Sequence, residues 1–242
     1  MPHLNSLALD AASPVAPPFP LNVNPTLILP SLTHLEIFTN PRDCALALAH
    51  LDLPTLTELY VIVTLQSYLS YKYNVPRLYP YVVQHPHGPQ DTQPLQSVLI
   101  RTDGYQRMDV LVWSVPNIDA EVEGPPTFLA KTLPPRVALS FMNITSHSPT
   151  TSIRILDEAL SALPLDGLNT LIAQDFLIPN EVFWLRHVPR WPLLRHVRLV
   201  APMDHGFKEI LLRDDGGHKD PLLPSLKELV LVGTLSNNTI GH

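Results

Sequence analysis

One phrase recurs along the chain and constrains its fold more than any other feature: a proline, one residue, then apolar residues spaced Leu-x-x-Leu-x-Leu. Clear copies begin at Pro2, Pro30, Pro54, Pro192 and Pro224. The last three positions alternate as in a strand with one buried face, and the first leucine falls in the turn that enters the strand. The phrase therefore predicts one short parallel strand per copy, as in leucine-rich-repeat proteins.

The spacing of the copies agrees with that prediction at both ends of the chain. The first apolar residues at 4, 32 and 56 are 28 and 24 residues apart, and those at 168, 194 and 226 are 26 and 32 apart. Leucine-rich repeats are roughly 20–29 residues long. Repeats of this length predict a single elongated domain.

The middle of the chain departs from this spacing. Weaker copies start at Leu95, Val137 and Leu168, and the steps from 56 to 95 and from 95 to 137 are 39 and 42 residues. We therefore expect one domain over residues 1–242, with about eight irregular repeats and long insertions near 66–93 and 103–132. We also expect both ends to be truncated, since a repeat array normally carries polar caps.

Helical patterns lie between the strand phrases. In segment 40–51, Asn40 can cap a helix, Pro41 suits its first position and Asp43 its first turn. Further helices are expected at 152–162, 180–187 and 205–213. The chain is therefore predicted to be an α/β protein, a leucine-rich-repeat-like β/α solenoid or horseshoe with parallel strands on its concave face and helices on its convex face.

A compact doubly wound parallel sheet remains the alternative, because it also alternates strands and helices. Such a sheet does not require the same Pro-x-Leu entry before each strand. The recurrence of that entry favours the solenoid.

Composition excludes several classes of function. The net charge of −6 offers no basic field for nucleic acid or an anionic membrane, and no apolar run approaches the ~18 residues of a membrane span. The single Cys44 cannot form an internal disulfide, and no secretory signal pattern opens the chain. We expect an intracellular protein, cytoplasmic or nuclear.

Several segments together resemble a known family. Pro-Ser-Leu-Lys-Glu-Leu-Val-Leu at 224–231, Trp-Pro-Leu-Leu-Arg-His-Val-Arg-Leu at 191–199 and His-Gly-Pro-Gln-Asp at 87–91 are similar to the F-box-like, leucine-rich-repeat proteins of mushroom-forming (basidiomycete) fungi. The resemblance covers most of the chain, and it implies the substrate-recognition region of an F-box-type ubiquitin ligase adaptor.

The family's F-box is an N-terminal helical module that docks an adaptor subunit, and residues 1–30 hold nothing like it. The resemblance therefore implies the recognition region alone. The adaptor and cullin subunits would be partners only if an F-box lies outside this chain.

The sequence favours no catalytic chemistry, cofactor or metal site. Tyr68 and Lys72 have the spacing of a dehydrogenase pair, but no glycine-rich turn exists to hold a dinucleotide. His85 and His87 have no third ligand at motif spacing, and the acidic segment 214–220 lacks the ligand pattern of a calcium loop. We interpret Tyr68 and Lys72 as part of a tyrosine-rich loop, and His85 and His87 as part of a solvated loop. Segment 214–220 is interpreted as a helix-ending turn.

The predicted function is binding of a partner protein on the concave face. In a horseshoe the strand residues between the core positions point to that face. They include Ile62, Leu99, Val200 and the five residues that we predict to contact a partner: Glu36, Phe38, Tyr60, Arg101 and Arg198. Tyrosine and arginine are enriched at binding hot spots, so Tyr60, Arg101 and Arg198 are the preferred candidates.

Other aromatic residues are assigned mainly to packing. Trp113, Trp184 and Trp191 are predicted to be core residues. The tyrosines between 68 and 81 are expected either to pack the first insertion against its neighbours or to form a contact loop.

Two functional alternatives stay open at this point. A truncated structural fragment without its own partner would fail to fold cooperatively, because a repeat array needs its neighbours. An α/β enzyme would instead carry a deep pocket with convergent polar groups.

Overall fold

The computed structural model describes residues 4–10, 27–65, 68–84, 93–103, 106–116, 133–143, 149–174, 180–200, 205–212 and 222–232. The strands, numbered in chain order, are β1 Ser6–Asp10, β2 Leu27–Ile28, β3 His34–Thr39, β4 Leu51–Asp52, β5 Glu58–Thr64, β6 Ser97–Asp103, β7 Arg107–Trp113, β8 Val137–Met142, β9 Thr170–Gln174, β10 His196–Val200 and β11 Glu228–Val232. The helices are α1 Pro41–Ala49, α2 Tyr68–Gln84, α3 Pro149–Ala162, α4 Glu181–His187, a 3₁₀ turn Val188–Arg190, and α5 His205–Leu212.

The repeated phrase forms a repeated turn. In four copies, the backbone carbonyl of the residue before the proline accepts a hydrogen bond from the backbone N–H of the first leucine of the phrase. The acceptor and donor pairs are Leu29 and Leu32 (3.2 Å), Leu53 and Leu56 (3.2 Å), Trp191 and Leu194 (3.0 Å), and Leu223 and Leu226 (3.3 Å). Proline thus occupies the second position of a β-turn, where its fixed φ is favourable. In a fifth turn, the Leu168 backbone N–H donates to the Leu165 carbonyl at 3.0 Å, and Asp166 takes the second position in place of proline.

Nine of the described strands form one sheet in the order β1-β3-β5-β8-β7-β6-β9-β10-β11, and β2 pairs with β4 in a separate two-stranded sheet. All neighbours in the large sheet are parallel except β7, which runs antiparallel to β6 and β8. The protein is therefore α/β, with a large, mostly parallel sheet.

The order in the middle of the sheet differs from the order of the repeats. Strand β5 pairs with β8 rather than with β6, and β6 pairs with β9. The antiparallel β7 lies inside the predicted insertion 103–132 and allows this reversal, since it forms one ladder with β6 and another with β8. The expectation of parallel strands alone is wrong here.

Two rows of apolar side chains run across all nine strands on one face of the sheet. One row is Leu7, Leu35, Leu59, Val137, Val112, Val98, Leu171, Val197 and Leu229; the other is Leu9, Ile37, Val61, Leu139, Val110, Ile100, Ala173, Leu199 and Leu231. These rows pack in one core with side chains from all five described helices. The helices therefore cover this face.

The helix predictions are largely confirmed. Asn40 caps α1 by accepting a hydrogen bond from the Asp43 backbone at 3.0 Å, and Asn180 caps α4 by accepting one from Phe183 at 3.0 Å. The third helix begins three residues earlier than predicted, at Pro149, and the fifth ends at Leu212. Trp184 and Trp191 are core residues, as predicted.

The first insertion holds a helix, so the interpretation of Tyr68 and Lys72 as part of a tyrosine-rich loop is wrong. In α2, Val75, Leu78, Tyr79 and Val82 form a buried stripe at helical spacing. Pro76 and Pro80 lie four residues apart on the exposed side. The carbonyl groups that lose their partners to proline lie on that side, where water can bind them.

The turn that enters β10 provides a matched test of the repeat core, because two adjacent leucines differ in burial. Leu194 is 0% exposed and Leu193 is 50% exposed. We expect Leu194→Ala to lower the free energy of unfolding by about 2–5 kcal/mol through the cavity that it leaves. Leu193→Ala should change it by less than about 0.5 kcal/mol. Urea unfolding measures both, and equal losses would contradict the assignment of the phrase to the core.

Candidate functional site

The opposite face of the sheet, here called the second face, carries the alternate strand residues in two rows. The Tyr60 row is Ala8, Glu36, Tyr60, Ala138, Leu111, Leu99, Ile172, Arg198 and Val230. The Arg101 row is Asp10, Phe38, Ile62, Ser140, Asp109, Arg101, Gln174, Val200 and Val232.

All five predicted contact residues lie on this second face. Glu36, Tyr60 and Arg198 belong to the Tyr60 row, and Phe38 and Arg101 belong to the Arg101 row. Glu36 is the direct cross-strand neighbour of Tyr60. Six strand spacings of about 4.8 Å separate β3 from β10, so the five residues spread over roughly 30 Å. They share a surface rather than a pocket.

A buried ionic cluster occupies the centre of the Arg101 row. The Asp109 carboxylate accepts hydrogen bonds from Arg101 Nε at 3.1 Å, Arg107 Nε at 2.7 Å and Ser140 Oγ at 2.5 Å. Arg107 Nη2 also donates to Ser140 Oγ at 3.0 Å. The side chain of Asp109 is 4% exposed, whereas those of Arg101 and Arg107 are 14% and 20% exposed. Three neighbouring strands are thus joined by charge-assisted hydrogen bonds.

Sequence reasoning found Arg101 but missed Arg107, Asp109 and Ser140. Residues 107–113 alternate in the manner of a strand, which would have placed Arg107 and Asp109 on one face. That signal was hidden because the segment contains no Pro-x-Leu entry. Ser140 could not have been paired with Asp109 without knowing that β7 and β8 are neighbours.

A second apolar cluster lies in the middle of the Tyr60 row. It consists of Tyr60, Leu99, Leu111, Trp113, Ala138 and Ile172, each 5% exposed or less. The Trp113 indole N–H donates to the carbonyl of Leu133 at 2.9 Å. Trp113 is a core residue, as predicted, but it belongs to this cluster rather than to the helix-covered core.

Tyr60 joins this apolar cluster to an acidic region of the second face. Its ring lies 5.0 Å from that of His34, whose Nδ1 is 2.9 Å from a Glu58 carboxylate oxygen. Burial, together with the negative charges of Glu58 and Glu36, raises the pKa of Tyr60 to about 12. The phenol therefore stays protonated, and its buried hydroxyl has no hydrogen-bond partner within the described residues.

The pairing of His34 with Glu58 has a counterpart at the other end of the sheet. His196 Nδ1 lies 3.1 Å from a Glu228 carboxylate oxygen, and in both cases the two residues face each other at the first positions of adjacent parallel strands. The recurrence shows that the repeat phrase places equivalent residues in equivalent cross-strand contacts. His34 and Glu58 are partly buried and Glu228 is 62% exposed, so neither pair adds much stability.

Another ionisable cluster lies on the helix-covered side. His187 is fully buried, its Nε2 lies 2.8 Å from Asp157, and its ring stacks on Trp191 with centroids 5.6 Å apart. Arg186 also hydrogen-bonds to Asp157. Burial lowers the pKa of His187 against the opposing effect of the Asp157 carboxylate. A neutral imidazole in this position links α3 to α4 as a structural contact.

Only some of the residues considered for catalysis or metal binding lie in the part of the chain that the structure describes. Tyr68 and Lys72 lie on α2, while His85, His87 and residues 214–220 lie outside the described residues. Cys44 is fully buried in α1, and burial raises the pKa of its thiol. Within the described ranges, no three histidine, cysteine or acidic residues are grouped so that they could hold a metal ion. No described helix is long and apolar enough to cross a membrane.

The ionic cluster allows a matched test of charge burial. Asp109→Asn keeps the shape of the side chain but removes the carboxylate that two partly buried guanidinium groups share, which we expect to cost about 3–5 kcal/mol of folding stability. Glu36→Gln makes the same chemical change on the same face, at a side chain that is only partly buried, and should cost less than about 0.5 kcal/mol. Denaturant unfolding would compare them; a neutral Asp109→Asn would rule out the cluster.

Comparison with known proteins yields no match: no family model fits the chain, and neither the curated proteins nor the solved structures contain a similar one.

Proposed function

We propose that this chain is a non-enzymatic protein-interaction module that binds a partner protein on the second face of its sheet. The carrying observation is that four of the predicted contact residues, Glu36, Phe38, Arg101 and Arg198, are partly exposed on one face, opposite the face that the described helices cover. Tyr60 shares that face but is 5% exposed and packs in the apolar cluster of the Tyr60 row. A face built from side chains on a hydrogen-bonded sheet is held rigidly, which lowers the entropy cost of binding.

The composition of that face suits protein recognition. Phe38, Ile62 and Val200 are partly exposed apolar residues, and they lie in the same row as Arg101. Protein interfaces combine apolar contacts with arginine and tyrosine and bury few other charges. The mixture fits a protein partner better than a nucleic acid, because acidic residues such as Asp10 and Glu36 lie on the same face.

In this proposal the sheet and helices form a leucine-rich-repeat-like solenoid, with the second face concave and the helices convex. Its support is the repeated proline turn, the in-register apolar rows and the placement of the described helices on one side. A doubly wound sheet would carry helices on both faces. The reversed order of β6 to β8 makes this an irregular member of that architecture.

The assignment to a ubiquitin ligase adaptor rests on the family resemblance and is part of the same proposal. The chain would be the substrate-recognition region of an F-box-type ubiquitin ligase adaptor of a mushroom-forming fungus, acting in the cytoplasm or nucleus. Adaptor and cullin subunits would join it only through an F-box located elsewhere in the gene product.

The proposal predicts that capture of a partner depends on the second face. The triple variant Glu36→Ala/Phe38→Ala/Arg198→Ala changes three partly buried residues of that face. The control variant Val182→Ala/Leu193→Ala changes residues that are 61% and 50% exposed and lie outside the two rows. Quantitative affinity capture from a fungal lysate should lose at least one protein about tenfold with the first variant, the effect of roughly 1.4 kcal/mol, and not with the second.

Two other outcomes would contradict the proposal. Equal recovery of every captured protein by both variants would exclude the second face as the binding surface. Turnover of a small molecule by the purified chain would replace the interaction module with an enzyme. A circular-dichroism melt of each variant shows whether its fold is retained.

A further inference from the structure

The outermost strands of the large sheet, β1 and β11, each pair with only one neighbour among the described strands. Their core leucines are partly exposed: Leu7 and Leu9 on β1, and Leu229 and Leu231 on β11. The equivalent residues one strand further in are 2% exposed or less: Leu35, Ile37, Val197 and Leu199. The side chains that cover the core are therefore incomplete at both edges of the sheet.

One backbone contact recurs between neighbouring strand entries in the interior of the sheet. At each of five junctions, a carbonyl oxygen just before one strand accepts hydrogen bonds from two consecutive N–H groups at the entry to the next parallel strand, at 2.7–3.1 Å. The accepting residues are Asn5, Thr33, Gln96, Asn169 and Arg195. We call this arrangement the entry contact.

The two edges carry the two halves of a further entry contact. The next acceptor in the series is the carbonyl of Lys227, which precedes β11, and the matching donors are the N–H groups of Asn5 and Ser6 at the entry to β1. Within the described residues, none of these three groups forms an entry contact. The acceptor at one edge thus complements the donors at the other.

The ladder groups of the two edge strands are complementary as well. Backbone groups of alternate residues in a parallel strand point to alternate neighbours. Because Glu228 donates to Arg195, the backbone groups of Leu229 and Leu231 point away from β10. Because Asn5 accepts from His34, those of Ala8 point away from β3. The same division of residues occurs at the interior junctions, as between β3 and β5.

The side chains also fit when the register of the sheet is continued from β11 to β1. The facing pairs are Glu228 with Ser6, Leu229 with Leu7, Val230 with Ala8, Leu231 with Leu9, and Val232 with Asp10. No pair brings like charges together, and the leucines extend both core rows, which would remove their remaining apolar surface from water. Neither strand contains the lysine or proline that often prevents pairing at an edge.

We propose that β11 of one copy of this chain pairs in parallel with β1 of a second copy, so that the sheet continues from one copy into the next. The contact joins two different surfaces of the same chain, and such contacts produce rings or open arrays rather than two-fold dimers. This inference goes beyond the proposed function, because it uses the edges of the sheet and leaves the second face to a separate partner.

The test is sedimentation velocity of the intact chain from micromolar to near-millimolar concentration. We expect the average mass to rise with concentration. Ala8→Pro should keep the mass of one chain throughout, because Ala8 is exposed and proline there removes a donor that points away from β3. Ala8→Thr keeps that donor and should associate like the unaltered chain. Circular-dichroism melts check that both variants are folded.

A pair of charge variants tests the register without removing a backbone donor. Ala8→Lys/Val230→Lys places like charges opposite each other across the proposed contact, and Ala8→Lys/Val230→Glu places opposite charges there. Both positions are exposed, and Val230 is 37% exposed. We expect the dissociation constant of the first variant to exceed that of the second by about fivefold or more.

Three results would overturn the proposal: the mass of one chain at every concentration, association of Ala8→Pro equal to that of Ala8→Thr, or equal dissociation constants for the two charge variants. Hydrogen exchange gives an independent measurement. The amides of Ala8 and Leu231 should exchange quickly in a dilute sample and slowly in a concentrated one. Slow exchange of either amide in the dilute sample would show that the chain covers its own edge, which also contradicts the proposal.

Discussion

The structure depends on the turn that precedes five of its strands, β3, β5, β9, β10 and β11. Each turn is closed by a backbone hydrogen bond, and a second set of hydrogen bonds then connects one turn to the next, as from Thr33 to the carbonyl of Asn5 and from Thr57 to that of Thr33. Threonine and serine hydroxyls reinforce these links: Thr55 donates to Pro30, and Ser225 donates to Pro192. Because a slip of one residue would exchange the two faces of a strand, this fixed entry sets which side chains become core.

Register in turn determines the charge and polarity of the second face. Once Leu35 and Leu59 are fixed in the core, Glu36 and Tyr60 must point away from it. The same constraint acts through β8, β7 and β6, where it brings Ser140, Asp109 and Arg101 into one row. The proposed binding surface needs no pocket, since its shape and charge come from the sheet beneath it.

Local sequence patterns predicted the features that depend on interactions between residues close together in the chain. Asn40 caps a helix where its side chain suggested it, and the strand phrase gave the facing of Phe38 and Arg101. The helix α2 had a readable stripe of Val75, Leu78 and Val82, but Pro76 and Pro80 obscured it. Its prolines stand on the exposed side, a placement that requires knowledge of the packing.

The non-local features could not be predicted. Nothing near Val137 indicates that its strand lies beside Leu59, and nothing near Asp109 indicates that Ser140 will donate to it. Strand neighbours are selected by the packing of the whole sheet, and an antiparallel strand between two parallel ones changes the order without changing either strand's own pattern. The ionic cluster at the centre of the candidate site exists only because of that order.

The most direct test of this account is therefore the strand order itself, measured as backbone nuclear Overhauser effects in an isotopically labelled sample. The structure predicts contacts between β5 and β8, such as Val61 with Leu139, and between β6 and β9, such as Ile100 with Ala173. Contacts between Val61 and Ile100 would instead place the strands in chain order. That result would contradict both rows of the second face and the candidate site that they form.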